Sequence, residues 1–188
     1  MRCAWLRKVG GPVASIAVVV TLACAASSDT GPNSPSPNSP FPSQVIPAGW
    51  SDYTNTQYGF ALSYPGEYGI VPETTPPASG ANLRVRFQEK ALLSSEFVDQ
   101  EPARFMVEVF VLAQPPSLTT WLRSKNRLPA DALTSSMALA GAQEGLRVQQ
   151  RQQLAPNDFY YFTNGNNVFA LTPLGAHSAE ILASFRLR

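Results

Sequence analysis

The sequence predicts an α+β domain in which an antiparallel β-sheet carries packed helices, and three observations lead there. Apolar residues alternate with polar ones over short runs that end in Pro or Gly, the pattern of half-buried strands. One longer run, Phe105 to Leu112, is apolar except for Glu108, as in a central strand covered on both faces. Helical spacing of apolar residues recurs in only two short stretches. A twisted, mostly antiparallel sheet with helices laid on it covers all of these apolar surfaces.

Each element has its own local reason. Phe60, Leu62 and Tyr64 alternate with Ala61 and Ser63, and Pro65-Gly66 ends that strand. Leu83, Val85 and Phe87 alternate with Arg84 and Arg86, and Leu146 and Val148 with Arg147, Gln149 and Arg151. Phe159–Thr163 and Val168–Thr172 flank Asn164-Gly165-Asn166-Asn167. Asn and Gly reach positive φ at low cost, so this is a hairpin. After Pro115-Pro116, Ser117 supplies a capping hydroxyl, and Leu118, Trp121 and Leu122 share one helical face. A second helix runs from Ser178 to Phe185 with Ile181, Leu182 and Phe185 buried and Glu180 near the positive end of the dipole. Pro129–Ala140 reads as a short helix or a loop.

Residues 1–23 have the character of a secretory signal. Arg2, Arg7 and Lys8 precede an apolar run from Val13 to Ala23, and no acidic residue occurs before Asp29. Leu22-Ala23-Cys24 resembles the lipobox of bacterial lipoproteins, in which the cysteine thiol receives a diacylglycerol before cleavage on its amino side. Ordinary cleavage, for instance after Ala26, is the competing reading and would leave Cys24 in the discarded peptide. A spanning helix is excluded for this run, because eleven residues fall short of the ~20 a hydrocarbon core requires. Residues 24–47 are rich in Ser, Asn and Pro, with Pro-Asn-Ser-Pro at 32–35 and again at 37–40. Such a segment suits a partly extended tether of up to about 60 Å, at ~3.1 Å per residue. The folded domain is then 48–188, and the lipid on Cys24 is its expected link to the membrane on the extracytoplasmic side of a bacterial envelope.

Composition removes several functions. The 188 residues carry net charge +1. Loss of Arg2, Arg7 and Lys8 with the signal leaves 11 basic against 13 acidic side chains, net −2. That balance gives no case for a nucleic-acid binder, which would need a clustered basic face. Cys3 and Cys24 are the only cysteines, so the domain has no disulfide and no thiolate ligand, and its stability rests on a hydrophobic core.

The opening of the domain, Trp50-Ser51-Asp52-Tyr53-Thr54-Asn55-Thr56-Gln57-Tyr58-Gly59-Phe60-Ala61-Leu62-Ser63-Tyr64-Pro65, resembles that of PsbP-like domains. Their pattern is Trp, then Tyr and Asn, then Tyr-Gly-Phe leading into an alternating strand that ends in Tyr-Pro. The close, Ile181-Leu182-Ala183-Ser184-Phe185-Arg186, is similar to the family's terminal helix. The type member is an extrinsic subunit of photosystem II, and many bacterial relatives are lipoproteins of unknown role. The resemblance implies an α/β/α sandwich near a membrane and no common catalytic activity.

Motifs of reaction chemistry are few. Asp29-Thr30-Gly31 has the spelling of an aspartic-protease site, but it stands once, in the tether, without the second carboxylate that chemistry needs. His177 is the only histidine, and a His177/Glu180 pair offers too few ligands for a firm metal site, so a solvent-facing histidine at a helix start is expected. Glu96, Asp99 and Glu101 form an acidic loop whose spacing does not match an EF-hand, and it reads as solvated. No cofactor, metal or catalytic residue is expected. Trp50, Tyr53, Tyr58, Tyr64 and Tyr68 place five Trp or Tyr side chains within nineteen positions. They either line a cleft for a ligand or partner, with Trp50, Tyr53 and Tyr58 as its contact residues, or seal the edge of the sheet. The expected function is a non-enzymatic binding or assembly accessory with an envelope protein or ligand as partner. The alternatives are an envelope-acting hydrolase or transferase and a small solute-binding lipoprotein.

Overall fold

The computed structural model describes residues 46–71, 73, 76–96, 98, 100–114, 117–151 and 156–188. The expected signal, Cys24, Asp29-Thr30-Gly31, the tether up to residue 45, Asp99 and Pro115-Pro116 lie outside them.

Among the described residues, ten strands and three short helices follow one another. They are β1 (Trp50–Asn55), β2 (Phe60–Pro65), β3 (Tyr68–Val71), β4 (Leu83–Glu89), α1 (Lys90–Leu93), β5 (Phe105–Val111), α2 (Leu118–Ser124), β6 (Leu133–Ser136), β7 (Glu144–Gln149), β8 (Asp158–Asn164), β9 (Asn167–Pro173), α3 (Ser178–Ser184) and β10 (Arg186–Leu187). They form two sheets rather than the single sheet expected. One has three strands in the order β1-β2-β10, the other seven in the order β3-β4-β5-β9-β8-β7-β6, and every pairing is antiparallel.

The middle of the large sheet is apolar on both sides, and each side has its own cover. On one, Val85, Phe87, Phe105, Val107, Val109, Phe162, Phe169 and Leu171 pack against Phe60 and Leu62 of β2 and Ile181, Leu182 and Phe185 at the end of the chain. On the other, Phe110, Val148, Tyr161, Val168 and Ala170 pack under Leu118, Trp121 and Leu122 of α2. The layers are therefore α3 with the small sheet, the large sheet, and α2. Phe105–Val111 is covered on both faces as its composition requires, although Val111 at its end is 46% exposed.

Local chemistry explains the ends of these elements. Ser117 caps α2, its hydroxyl accepting from the Thr120 N–H at 3.4 Å, as its position in the sequence predicts. Glu144 of β7 accepts the Leu118 N–H at 2.7 Å and holds the same end of the helix to the sheet. The β8–β9 hairpin pairs Asn164 with Asn167, leaving Gly165 and Asn166 as its turn. Gly165 has φ of 58°, Asn166 does not have positive φ, and a glycine first in a two-residue turn is the II′ arrangement. Pro129–Ala140 is neither a helix nor wholly a loop. It contains β6, an edge strand exposed along its whole length, so neither face carries the apolar alternation that marks a strand.

Ser184 joins α3 to β2. β10 pairs only with Phe60 and Ala61, and beyond it α3 runs beside the rest of β2. There the Ser184 hydroxyl accepts the Ser63 N–H at 2.8 Å and approaches the Ser63 carbonyl at 3.1 Å, replacing the backbone partner a longer β10 would have provided. Burial of an unpaired charge on the central strand tests this layering. Val109 is fully buried, and Val109→Asp is expected to lower the unfolding free energy by about 3–5 kcal/mol. Thr54→Asp, on an exposed position of β1, should change it by less than about 0.5 kcal/mol in the same urea titration. Equal midpoints for the two variants would show that Val109 is not in the core.

Candidate functional site

Two polar constellations stand out, one at the end of the domain where the described chain begins and one under α2. The first is built by three turns closing on one another. Pro65-Gly66-Glu67 connects β2 to β3, and a Cβ at Gly66 would collide with the carbonyl oxygen of Gly49, so the backbone before β1 can lie against this turn only if residue 66 is glycine. Gly175, between β9 and α3, is equally confined, because a Cβ there would lie 2.7 Å from the Arg104 Cβ and 3.1 Å from the Tyr68 Oη. The Leu174 and Gly175 N–H groups donate to the Arg104 carbonyl at 3.0 and 2.7 Å and fix that turn to the start of β5.

These approaches bring Trp50, Tyr68 and His177 together. The His177 ring stands edge-on to Trp50 at 6.0 Å between centroids and 83° between planes, and edge-on to Tyr68 at 6.1 Å and 65°. Its Nε2 lies 3.4 Å from Oε1 of Glu67. Behind it, Arg104 Nε donates to Glu89 Oε1 at 3.0 Å. Burial pushes the Tyr68 phenol up, and Glu89 adds to that while Arg104 and a backbone hydrogen bond from His177 oppose it. His177 is therefore not simply a solvent-facing helix-start residue. It does precede α3, but its ring, 42% exposed, sits between two aromatic side chains.

The other expected aromatic residues go elsewhere. Tyr53 stands three positions from Trp50 in β1, and alternation turns the two to opposite sides of the strand. Tyr53 packs on Phe60 and Phe87 at 5.7 and 5.8 Å, and Tyr64 on Phe87 at 4.9 Å, so both help to close the core between the sheets. Tyr58 lies in the β1–β2 connection, where its N–H donates to Asn55 Oδ1 at 2.9 Å, at the far end of β1 from Trp50. Glu96 and Glu101 are exposed. Glu180 turns Oε2 away from solvent in the first turn of α3, where the helix dipole favours a negative charge. Among the described residues no three His, Cys, Asp or Glu side chains converge as a metal site, and no helix is long and apolar enough to cross a membrane.

Under α2 the single acid of the central strand finds its partner. Glu108 is 3% exposed and accepts from Arg127 at 2.8 Å. Asn126, with φ of 54°, ends α2 in a left-handed residue, and the Arg127 N–H returns to the Leu122 carbonyl at 2.8 Å. The reversal sets the guanidinium 4.8 Å above the Phe110 ring, and its charge and hydrogen bond lower the Tyr161 phenol that burial otherwise raises. Glu108 alone in an apolar run signals that a cation must reach it, but nothing local identifies Arg127 as that cation.

No protein-family model matches the chain, and no curated protein matches it. Among solved structures it is similar to cyanobacterial PsbP (CyanoP) from Synechocystis sp. PCC 6803, with 14% identity and a TM-score of 0.43, over 77% of this chain and 95% of that one. The chain is also similar to a protein from Bacteroides thetaiotaomicron VPI-5482, with 10% identity and a TM-score of 0.37, over 74% of this chain and 49% of that one.

The buried phenols predict an alkaline limit to stability. Tyr68, Tyr160 and Tyr161 all titrate above the ordinary value of 10.0, chiefly through burial. The folded state thus favours the neutral phenol. The corresponding stability is complete below about pH 10 and is lost as pH rises through the raised values. Urea unfolding across this range should show a falling free energy, with a shallower fall for Tyr68→Phe. An identical slope in wild type and variant would mean that Tyr68 ionises as freely in the folded state as in the unfolded one.

Proposed function

We propose that this chain is a membrane-tethered lipoprotein on the extracytoplasmic side of a bacterial envelope, and that it acts as a non-catalytic binding or assembly accessory. Its partner, an envelope protein or ligand, docks at the corner formed by Trp50, Tyr68 and His177. The position of that corner carries the reading. Trp50 begins β1, directly after the segment that leads from Cys24 into the domain. A lipid on Cys24 and a tether with a reach of up to about 60 Å would keep this end of the domain within the layer above the membrane. The corner also has the right chemistry. An indole and an imidazole, both partly exposed, present apolar faces with polar tips, and Glu67 adds one carboxylate at the rim. The PsbP-like opening of the domain supports the accessory reading, since that resemblance implies no common reaction.

Crosslinking in intact cells tests both parts of the proposal. Radiolabelled palmitate should mark the wild type and not Cys24→Ala, which should accumulate as precursor or escape to the medium. Trp50→Ala with His177→Ala should remain in the membrane fraction, keep its circular-dichroism spectrum, and lose the crosslinked partner. Unlabelled wild type with unchanged membrane retention of Cys24→Ala would refute the anchor. Undiminished capture by the folded double variant would refute the corner, and turnover of peptidoglycan or polysaccharide by the purified protein would refute the non-catalytic role.

A further inference from the structure

We infer that β6 is a self-pairing edge, through which two copies of this chain join their seven-stranded sheets about a two-fold axis. A sheet edge presents unpaired N–H and C=O groups, and folded proteins blunt such edges with charges, proline or covering elements. Two other edges among the described residues show such devices. β3 begins beside Glu67, and Lys90 reaches the Gly66 carbonyl at its end. β1 carries Asp52, which Arg186 approaches at 3.8 Å. β6 differs. Leu133-Thr134-Ser135-Ser136 is exposed at every position, and the sequence from Ala132 to Gln143 contains neither a charge nor a proline. Leu133 is one of the few large apolar side chains on the surface, at 45% exposure.

Backbone geometry fixes how a second copy would fit. Met137 donates its N–H to the Gly145 carbonyl of β7 at 2.8 Å. Alternation then turns the backbone groups of Leu133 and Ser135 toward β7 and those of Thr134 and Ser136 outward. A two-fold axis normal to the sheet leaves each side chain on its own face, so only residues of like parity can oppose one another. With the axis at Ser135, Thr134 meets Ser136 of the second copy, and each such pair exchanges both N–H···O bonds. The same register sets Leu133 opposite Met137 of the second copy, on the face where Met137 already packs against the main core. The exposed leucine of each copy is thereby covered once, by the other copy's Met137. No like charges face each other, which is the usual obstacle to self-pairing of an edge. The second copy thus fits the edge in hydrogen bonding, apolar contact and charge.

Sedimentation of the full chain carrying Cys3→Ser and Cys24→Ser tests the inference free of acylation and of other thiols. Concentration-dependent dimers are expected. Ser135→Lys, which opposes two ammonium groups at the axis, should weaken them by about tenfold or more without altering the thermal transition extrapolated to low concentration. At a non-hydrogen-bonded pair the Cα atoms lie about 4.5 Å apart, within the range a disulfide accepts. Ser135→Cys should therefore oxidise to a covalent dimer, whereas Thr54→Cys on β1 should stay reduced under the same conditions. A chain that is monomeric at every concentration overturns the proposal, as does a dimer indifferent to Ser135→Lys. Capture of a foreign extended peptide by a monomer that Ser135→Cys cannot crosslink also overturns it.

Discussion

Phe185 is the side chain on which the arrangement of the layers depends. Its ring lies 5.8 Å from Phe60 of the small sheet, 6.2 Å from Phe162 of β8 and 6.0 Å from Phe169 of β9, so one residue touches both sheets at the end of the last helix. Phe60 and Phe169 also meet directly, at 5.8 Å. Deleting a ring in such a position typically costs about 3–5 kcal/mol, a large share of the ~5–15 kcal/mol that holds a domain together. Ser184, one position earlier, adds direction to this apolar contact, because its hydroxyl occupies the hydrogen-bonding site on Ser63 that a strand would otherwise fill. A seven-residue helix is only about 10 Å long. Once Phe185 and Ser184 are seated, the place of His177 at the other end of α3 follows, and with it the contact to Trp50 and Tyr68.

The opposite face of the large sheet is held by a different kind of interaction. Trp121 and Leu122 bury the apolar side of α2, with Trp121 edge-on to Phe110 at 5.0 Å. The ion pair between Glu108 and Arg127 ties the turn that follows the helix to β5. A buried pair of this kind contributes little net stability compared with apolar residues of the same shape, but removing one partner leaves a stranded charge at a cost of about 3–5 kcal/mol. Its effect is therefore on register, fixing α2 over β5 and β8. The aromatic corner stands on the other side of the sheet and depends on α2 only through the shared strands.

Much of this fold is legible in the sequence wherever a residue's signal is local. β2, β4, β5, β8 and β9 announce themselves by alternation or by a nearly continuous apolar run, and Ser117 marks the start of α2. The elements that are not legible lack a local cause. β6 has solvent on both sides and so has no apolar period, and β10 is too short to have one. The split into two sheets is equally hidden, because β2 alternates just as strands of the large sheet do, and only Phe60, Phe169 and Phe185 in space show which layer it joins. At the candidate site the same distinction holds. The density of Trp and Tyr between residues 50 and 68 flags the region, yet nothing nearby says that Tyr53 and Tyr64 turn into the core or that His177, over a hundred residues away, comes to stand beside Trp50. That contact is created by α3 folding back onto β2, a long-range event without a sequence period.

The central claim is that seating α3 through Ser184 and Phe185 builds the Trp50–Tyr68–His177 corner. Because His177 is the only histidine in the chain, its ring-proton NMR resonances can be assigned without ambiguity. Held between two aromatic rings in the wild type, these protons should resonate away from free-imidazole positions. In Ser184→Ala and Phe185→Leu, compared while both remain folded, the account predicts that they move toward the free values. Resonances unchanged in both variants would contradict it, because the corner would then form without the contacts said to build it.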